Sequence, residues 1–382
     1  MRYTTAGESH GRALVAIVSD VPAGVPVAAS AIDADLARRQ IGYGRGGRMA
    51  IETDRAVVLS GIRFGRTIGS PVALMIENRD APNWSGAMDP WGDGSEVESV
   101  TAPRPGHADL PGCQRTGSAD VRNVLERASA RETAARVAAG AVAKALLGEL
   151  GVSVRSWVER IGDVATGSLA ASDVDSGAVE GSDVRCPDPA AAQSMREAID
   201  LARTQGESLG GVFVVVAEGA VPGLGTYAEA GSRLDARLAG AVMSIPAIKG
   251  VEFGDGFACA GRVGSLAHDP IVLDAAGRLR RASNRAGGLE GGMTNGETVL
   301  VRAAMKPIPT LMRPLATVDL ATGEPADAAM ERSDVCAVPA AAVVAEAEVA
   351  LVLAGAYQEL LGGACLADMQ RSLVAYRDRI AW

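Results

Sequence analysis

Aromatic side chains are scarce in this sequence. They make up 3% of the 382 residues, whereas hydrophobic residues as a whole make up 48% and glycine occurs 46 times. The core must therefore be built mainly from small aliphatic side chains, and many turns can use backbone angles that glycine adopts freely. The length would accommodate two or three domains, but no Gly/Ser-rich or Pro-rich linker divides the chain. We therefore expect one domain over residues 1–382.

Cysteine is also sparse. The five cysteines are odd in number and scattered, without a C-x-x-C pair, which argues against a disulfide framework and a metal site and favours reduced thiols in the cytoplasm. The N-terminus lacks the apolar core of a signal peptide. The two most apolar stretches are interrupted by Arg136 and Lys144 and by Glu346 and Glu348, so we expect neither to span a membrane.

Positive charge is in deficit, since 37 basic residues face 46 acidic ones and the net charge is −9. General affinity for nucleic acid is therefore not expected. Against this background, Arg38, Arg39, Arg45 and Arg48 lie within eleven residues of glycine-rich sequence. Arginine binds phosphate and carboxylate in bidentate fashion, so the cluster indicates an enzyme for a small, multiply anionic substrate. A binding module for anions or RNA is the alternative.

The strongest helix signal begins at Ser129, which forms an S-x-x-E capping pattern with Glu132, and it ends at Gly151. The stretch 80–118 is too long for a simple connection and is expected to be a functional loop. A strand followed by VPAGV and a helix recurs about 200 residues later as a strand, VPGLG and a helix, so two related halves are possible. Further strands are predicted at 13–18, 55–65, 71–78, 211–219 and 297–305, and helices at 30–40, 194–205, 233–244, 339–361 and 366–379.

Two short motifs match the consensus sequences of other enzyme classes but lack the structural context that those classes require. GESHG at residues 7–11 fits the nucleophile elbow of serine hydrolases, but only six residues precede it, which leaves no place for an oxyanion loop. GYGRGG at residues 42–47 fits G-x-G-x-x-G, but it follows a predicted helix where a dinucleotide site requires a strand. A single GRGGR in an acidic chain also lacks the repeats of an RNA-binding tail.

The chain has three histidines. His10 and His107 lie in glycine-flanked loops beside a hydroxyl or an acid, where acid–base catalysis and an ordinary surface position are about equally consistent. His268, in AHDP, is not flanked by glycine and is expected to be structural.

Several segments together resemble the chorismate synthase family, in the family's order over nearly the whole chain: AGESHGRAL, RRQIGYGRGGRM, RPGHADL, LERASARETAARVAAGAV, AIKGVEFGDGF, NRAGGLEGGMTNGE, MKPIPTL and RSDVCAVPA. The resemblance implies an α+β fold, a compact β-α-β sandwich of antiparallel sheets with helices, assembled as a homotetramer. It implies an anti-1,4-elimination of phosphate from 5-enolpyruvylshikimate 3-phosphate to give chorismate, the last step of the shikimate pathway. Reduced FMN is required without net redox change.

The same resemblance implies roles for individual residues. His10 would protonate the leaving phosphate, His107 would protonate the reduced flavin, and Asp334 would help the flavin N5 region take the ring proton. Ser9 would order His10 beside the substrate. The substrate's anionic groups would be held by Arg39, Arg45, Arg48 and Arg131. FMN contacts would fall on Arg127, Ala128, Ser129, Ala247, Gly291, Lys306, Pro307, Ile308, Pro309, Thr310 and Arg332.

Two positions depart from other members of the family. Pro246 stands where some members have Asn or Gln, and Pro309 replaces a serine, so flavin contacts there must be apolar or through the backbone. No NADPH motif is readable, although some members reduce their own flavin with NADPH. An external flavin reductase is therefore expected to supply the reduced cofactor.

Overall fold

The computed structural model describes residues 1–46, 52–167, 169–331 and 333–381. The strands are β1 (Arg2–Ala6), β2 (Ala13–Ser19), β3 (Ala56–Ser60), β4 (Ile62–Arg63), β5 (Arg66–Thr67), β6 (Val72–Glu77), β7 (Ser153–Ile161), β8 (Val164–Ala165), β9 (Gly211–Glu218), β10 (Ile248–Phe253), β11 (Ile271–Leu273), β12 (Leu279–Arg281), β13 (Leu289–Glu290), β14 (Met293–Thr294), β15 (Val299–Met305), β16 (Ala316–Val318) and β17 (Pro325–Asp327). The helices are α1 (Ala29–Gln40), α2 (Asp109–Thr116), α3 (Arg122–Ala128), α4 (Thr133–Glu149), α5 (Ser176–Glu180), α6 (Pro189–Gln205), α7 (Leu234–Met243), α8 (Gly264–Ala267), α9 (Val338–Leu361) and α10 (Leu366–Ile380).

The main strands form two antiparallel sheets, in the orders β1-β2-β6-β3 and β10-β15-β9-β7-β8. In the first sheet, alternate residues such as Leu14, Leu74 and Ile76 turn inward and are fully buried, as the period of two in a half-buried strand requires. The fold is α+β with antiparallel sheets, which confirms the predicted class.

Helices fill the space between the sheets. Helix α4 packs on β2 and β6, α9 packs on β7 and β9, and the two helices pack on each other. Their contact is close, because a Cβ at Gly140 of α4 would lie 2.2 Å from the Cβ of Ala347 on α9. Small residues therefore let two helical layers fit inside one sandwich.

The two halves of the chain repeat one topology. If the inserted elements such as α2, α3 and α6 are set aside, each half has two strands, a helix, two strands and a second helix in order, namely β1-β2-α1-β3-β6-α4 and β7-β9-α7-β10-β15-α9. In both sheets the fourth of these strands lies between the second and the third. The repeat aligns β2 with β9 and α1 with α7, so Val21-Pro22 and Val221-Pro222 occupy matching connections. The weak internal similarity in the sequence thus coincides with a structural repeat.

Segment 163–190, which has no regular sequence pattern, covers the outer face of the second sheet. Val174 and Val179 from this segment are buried against Trp157, Val214 and Val216 of β7 and β9. The corresponding face of the first sheet has no such cover in the described chain, and Ile17, Val57 and Leu59 expose 43%, 49% and 56% of their surface.

Helix α9 contains an 18-residue window that is long and apolar enough to cross a membrane by length and composition. However, 94% of that window is buried inside the protein, as in the central helix of a sandwich. Two of its three glutamates, Glu346 and Glu348, are buried and paired within the core. Glu346 accepts hydrogen bonds from Arg38 and Lys144, and Glu348 accepts one from Tyr3.

The capping pattern at Ser129 is realised in part. Ser129 Oγ accepts a hydrogen bond from the backbone N–H of Arg131 at the start of a 3₁₀ turn, Ala130–Glu132, that leads into α4. Glu132 does not complete a capping box, because its carboxylate binds Thr5 and Arg136 instead.

Candidate active site

One pocket of about 460 Å³ gathers most of the predicted site residues. The size falls within the usual range for small-molecule sites, roughly 300–1,000 Å³. Its wall is made by loops and by the ends of helices and strands. The predicted residues that line it are Ser9, His10, Arg39, Arg45, His107, Ala128, Ser129, Arg131, Ala247, Lys306, Ile308, Pro309, Thr310 and Asp334.

His10 follows β1 and is fixed by a carboxylate from α3. Its Nδ1 lies 2.8 Å from Glu126 Oε1, and its backbone N–H donates to Glu126 Oε2, also at 2.8 Å. Its ring stacks on Trp84, with ring centroids 4.0 Å apart and an interplanar angle of 28°. Burial opposes ionisation of Glu126, but the hydrogen bonds to His10 and the charge of Arg122 hold the pKa of this carboxyl below its usual value.

His107 has a similar arrangement on another part of the wall. Its Nδ1 is hydrogen-bonded to Asp109 Oδ1, and Arg104 donates to the same carboxylate from its backbone N–H and from Nε. Arg104 also donates to Thr310 Oγ1 at 3.0 Å. Although burial favours the neutral acid, the bonds from His107 and Arg104 hold the pKa of Asp109 well below its usual range.

Two arginines share one buried carboxylate beneath the pocket. Asp54 accepts from Arg39 Nη2 at 3.0 Å and from Arg131 Nη1 at 2.6 Å. Arg131 also donates from Nε to Asn78 at 2.9 Å. Burial lowers the pKa of Arg39 to about 10, so its guanidinium remains charged at neutral pH. Glu52 Oε2 also lies 3.5 Å from Arg131 Nη2, so two buried carboxylates hold the two guanidiniums in place at the wall of the pocket.

Asp334 is held where the loop after α1 meets the segment before α9. Its Oδ1 accepts from the backbone N–H of Gly46 at 2.6 Å, and its Oδ2 lies 3.3 Å from Arg45 Nη1. The carboxylate and Arg45 therefore line the pocket as an ion pair.

Lys306 reaches the pocket from the end of β15. Its Nζ donates to the carbonyl oxygen of Gly106 in the His107 loop. Gly106 has φ +79°, and a Cβ there would lie 3.3 Å from Lys306 Nζ, so both backbone angle and space favour glycine. Burial, together with the charge of Lys249, lowers the pKa of Lys306.

Some predicted residues do not line the pocket. Arg127 donates instead to the carbonyl oxygens of Gly7 and Thr5, and Gly291 lies in the turn between β13 and β14. Pro307 is also absent from the described wall. Arg48 and Arg332, predicted for substrate and flavin respectively, lie outside the described residues.

Arg38 and His268 are also placed elsewhere. Although Arg38 belongs to the arginine cluster, its guanidinium binds Glu346 and Glu180 and so belongs to the core. His268 is exposed at the end of α8.

The structure adds residues that sequence reasoning did not single out as site residues. Glu126, Asp54 and Trp84 gave no local signal, because each takes its importance from a partner distant in the chain. Arg104 and Asp109 flank His107 in the stretch RPGHAD, and an acid near a loop histidine was the available signal for that pair.

The site combines two histidines, each paired with a buried carboxylate, and several cations around one pocket. This defines an enzyme equipped for acid–base chemistry on a small, multiply anionic substrate.

Comparison with known proteins identifies the family. The family model of chorismate synthase matches residues 1–358. The chain is 58% identical to the chorismate synthase of Rubrobacter xylanophilus, covering 99% of this chain and 97% of that protein. It is 57% identical to the chorismate synthase of Moorella thermoacetica, with 99% and 98% covered. A crystal structure of chorismate synthase superposes with a TM-score of 0.80 at 40% identity, covering 99% of this chain and 98% of the other.

The chain belongs to the chorismate synthase family. It is therefore an enzyme, a lyase that acts at the final step of the shikimate pathway. Family membership also decides against the alternative of a binding module without turnover.

Proposed function

We propose that this chain converts 5-enolpyruvylshikimate 3-phosphate to chorismate by 1,4-elimination of phosphate, with reduced FMN as cofactor. The observation that carries the proposal is the convergence of two carboxylate-paired histidines with Arg39, Arg45 and Arg131 on one pocket. The substrate has a phosphate and two carboxylates, and arginine forks suit both groups. An elimination that expels phosphate also requires a proton donor at the leaving oxygen.

In this proposal, His10 donates a proton to the departing phosphate oxygen, and His107 holds a proton beside the flavin. Asp334 assists removal of the ring hydrogen near the flavin N5 region. Arg39, Arg45 and Arg131 bind the substrate's anionic groups, and Arg48 completes this set on the basis of the family pattern alone. Ser9, adjacent to His10 on the wall, orders His10 beside the substrate.

The residues at one side of the pocket suit a flavin. Ala128, Ala247, Ile308 and Pro309 provide an apolar wall, and Lys306 supplies a cation beside it. The guanidinium Nε of Arg39 is buried without a hydrogen-bond partner among the described residues, as expected of a donor that faces a ligand. Reduced FMN bound here would supply the electron-rich ring system that the family's elimination requires.

The assembly and the supply of cofactor are also proposed. We propose a homotetramer, supported by the uncovered apolar face of the first sheet around Ile17, Val57 and Leu59, because such a face favours contact with another copy. We propose an external flavin reductase and a cytoplasmic location. The five cysteines, all free thiols, are consistent with a reducing compartment.

Phosphate release tests the proposed reaction. The substrate is incubated anaerobically with the enzyme, with and without chemically reduced FMN, and phosphate and chorismate are measured. Chorismate and phosphate should form in equal amounts only when reduced FMN is present. Release of phosphate without flavin would indicate a different phosphate-eliminating reaction. Sustained turnover with only NADPH and FMN would show that no external reductase is needed.

A further inference from the structure

Three side chains fix the imidazole ring of His10. Glu126 Oε1 contacts His10 Nδ1, and Glu126 Oε2 accepts from the His10 backbone N–H. Arg122 donates to Oε1, the oxygen on Nδ1, at 3.2 Å. The guanidinium of Arg122 also lies 5.0 Å from the centre of the Trp84 ring, which itself stacks on His10. His10, Glu126, Arg122 and Trp84 thus form a closed cycle of contacts, which we call the His10 clamp.

We propose that Glu126 is a positioning residue that keeps hydrogen on His10 Nδ1, so that Nε2 is the nitrogen that exchanges a proton with the substrate. This inference rests on the proposed role of His10 as proton donor. Glu126 does not face the substrate itself, since its two carboxylate oxygens are occupied by His10 and Arg122.

The assignment of the hydrogen follows from what each group can donate. A carboxylate only accepts hydrogen bonds, and the lowered pKa of Glu126 keeps it ionised at neutral pH. The 2.8 Å contact therefore requires hydrogen on His10 Nδ1. In neutral imidazole this leaves Nε2 without hydrogen, ready to take up the proton that it later donates.

The clamp also restricts the orientation of the ring. The second carboxylate oxygen of Glu126 accepts a hydrogen bond from the His10 backbone N–H, which prevents the Glu126 side chain from rotating away. The Trp84 ring covers one face of the imidazole. Trp84 is itself anchored by a hydrogen bond from its Nε1 to Asp80 at 3.2 Å. Fixed geometry of this kind is what a proton donor needs to reach a developing charge.

Substitution of Glu126 by glutamine separates charge from shape. In Glu126→Gln, the amide oxygen can stay on the His10 backbone N–H, and the amide NH₂ then faces Nδ1. That group donates to Nδ1, so the imidazole hydrogen moves to Nε2, and Arg122, which also faced this position, turns toward Glu331. We expect kcat to fall by about 10²- to 10⁴-fold, the range of general acid catalysis. KM should change less than about threefold, because the substrate's charges bind the arginines. Glu126→Asp keeps the charge and should recover part of kcat.

Glu132→Gln is the matched control. Glu132 is also a buried carboxylate, but it binds Thr5 and Arg136 outside the pocket. The kcat of Glu132→Gln should stay within about twofold of that of the unsubstituted enzyme, because Glu132 contacts neither His10 nor His107.

Nuclear magnetic resonance of ¹⁵N-labelled histidine gives a readout that does not depend on turnover. The chain has three histidines, so His10 can be assigned by its loss in His10→Ala. At a pH where imidazole is neutral, hydrogen should reside on Nδ1 in the unsubstituted enzyme and in Glu126→Asp, and on Nε2 in Glu126→Gln.

The outcomes separate the two proposals. Hydrogen on Nε2 of His10 in the unsubstituted enzyme would overturn the positioning role, as would normal kcat in Glu126→Gln. Absence of chorismate formation by the unsubstituted enzyme would refute the proposed function, while the NMR result would still decide what Glu126 does to His10.

Discussion

Glu346 and Glu348 lie two positions apart on α9, are 0% and 1% exposed, and have pKa values shifted in opposite directions. For Glu346, burial is outweighed by the charges of Lys144 and Arg38, and its pKa falls to about 2. For Glu348, burial outweighs the bonds from Tyr3 and Arg136, and its pKa is raised. The same helix thus carries one carboxyl group whose surroundings favour ionisation, that of Glu346, and one whose surroundings oppose it, that of Glu348.

The opposite shifts predict opposite contributions to stability with pH. The lowered pKa of Glu346 stabilises the fold above the unfolded value of 4.5, and this contribution is lost as the pH falls toward about 2. The raised pKa of Glu348 stabilises the fold below 4.5, and this contribution is lost as the pH rises through the folded value.

Glutamine substitutions test this pair at neutral pH. Glu346→Gln should destabilise the protein by about 1–3 kcal/mol, because it removes the buried anion shared by Arg38 and Lys144, which both keep Asp35 as a partner. Glu348→Gln should cost clearly less, and it should remove the loss of stability that the ionisation of Glu348 causes as the pH rises above 4.5. Urea unfolding at several pH values measures both. A larger cost for Glu348→Gln would contradict the assignment.

The histidines should divide into two that matter for chemistry and one that does not. His10→Ala and His107→Ala should each lower kcat by about 10²- to 10⁴-fold, with little change in flavin binding. His268→Ala should be near normal, because His268 is exposed away from the pocket. Steady-state chorismate formation measures these effects. A large loss of kcat in His268→Ala, together with a normal kcat in His10→Ala, would contradict the assignment of the site.

Arg45 should contribute mainly to substrate binding. Arg45→Ala removes a charge-assisted contact of about 1.5–3 kcal/mol, which predicts a KM increase of roughly 10- to 100-fold. Because Arg45 also pairs with Asp334, a smaller fall in kcat is expected. Arg203→Ala, which removes a surface arginine paired with Asp200, is the control. Unchanged KM in Arg45→Ala would remove Arg45 from the substrate site.

Two glycines of α4 predict stability changes of opposite sign. Gly140→Ala should destabilise the protein by about 1–3 kcal/mol, because its Cβ would meet Ala347 of α9. Gly148→Ala has no atom within 4 Å of the new Cβ, and it should stabilise the helix by roughly 0.5–1 kcal/mol. Thermal unfolding of both variants tests the prediction. Equal effects would show that the α4–α9 contact is looser than described.

Much of the architecture could be predicted from the chain because it depends on local pattern. Alternating and helical periodicity predicted β2, β3, β6, β9 and β15 and the six longest helices, and the helix predicted at 233–244 forms as Leu234–Met243. β1, β7, β10, α2 and α3 were not predicted. Helix 194–205 begins earlier, at Pro189, where Asp188 caps it. Such ends depend on single hydrogen bonds, which periodicity does not report.

The sequence by itself determined the family, the arginine-rich loop and the two loop histidines, since these depend on residue types in a fixed order. It could not determine which adjacent arginine faces the pocket. A helix turns about 100° per residue, so Arg38 points to Glu346 while Arg39 lines the site. Nor could it pair His10 with Glu126, 116 positions away. Only the packing of α3 against the β1–β2 loop brings that carboxylate to the imidazole, because contacts between distant segments depend on the whole fold.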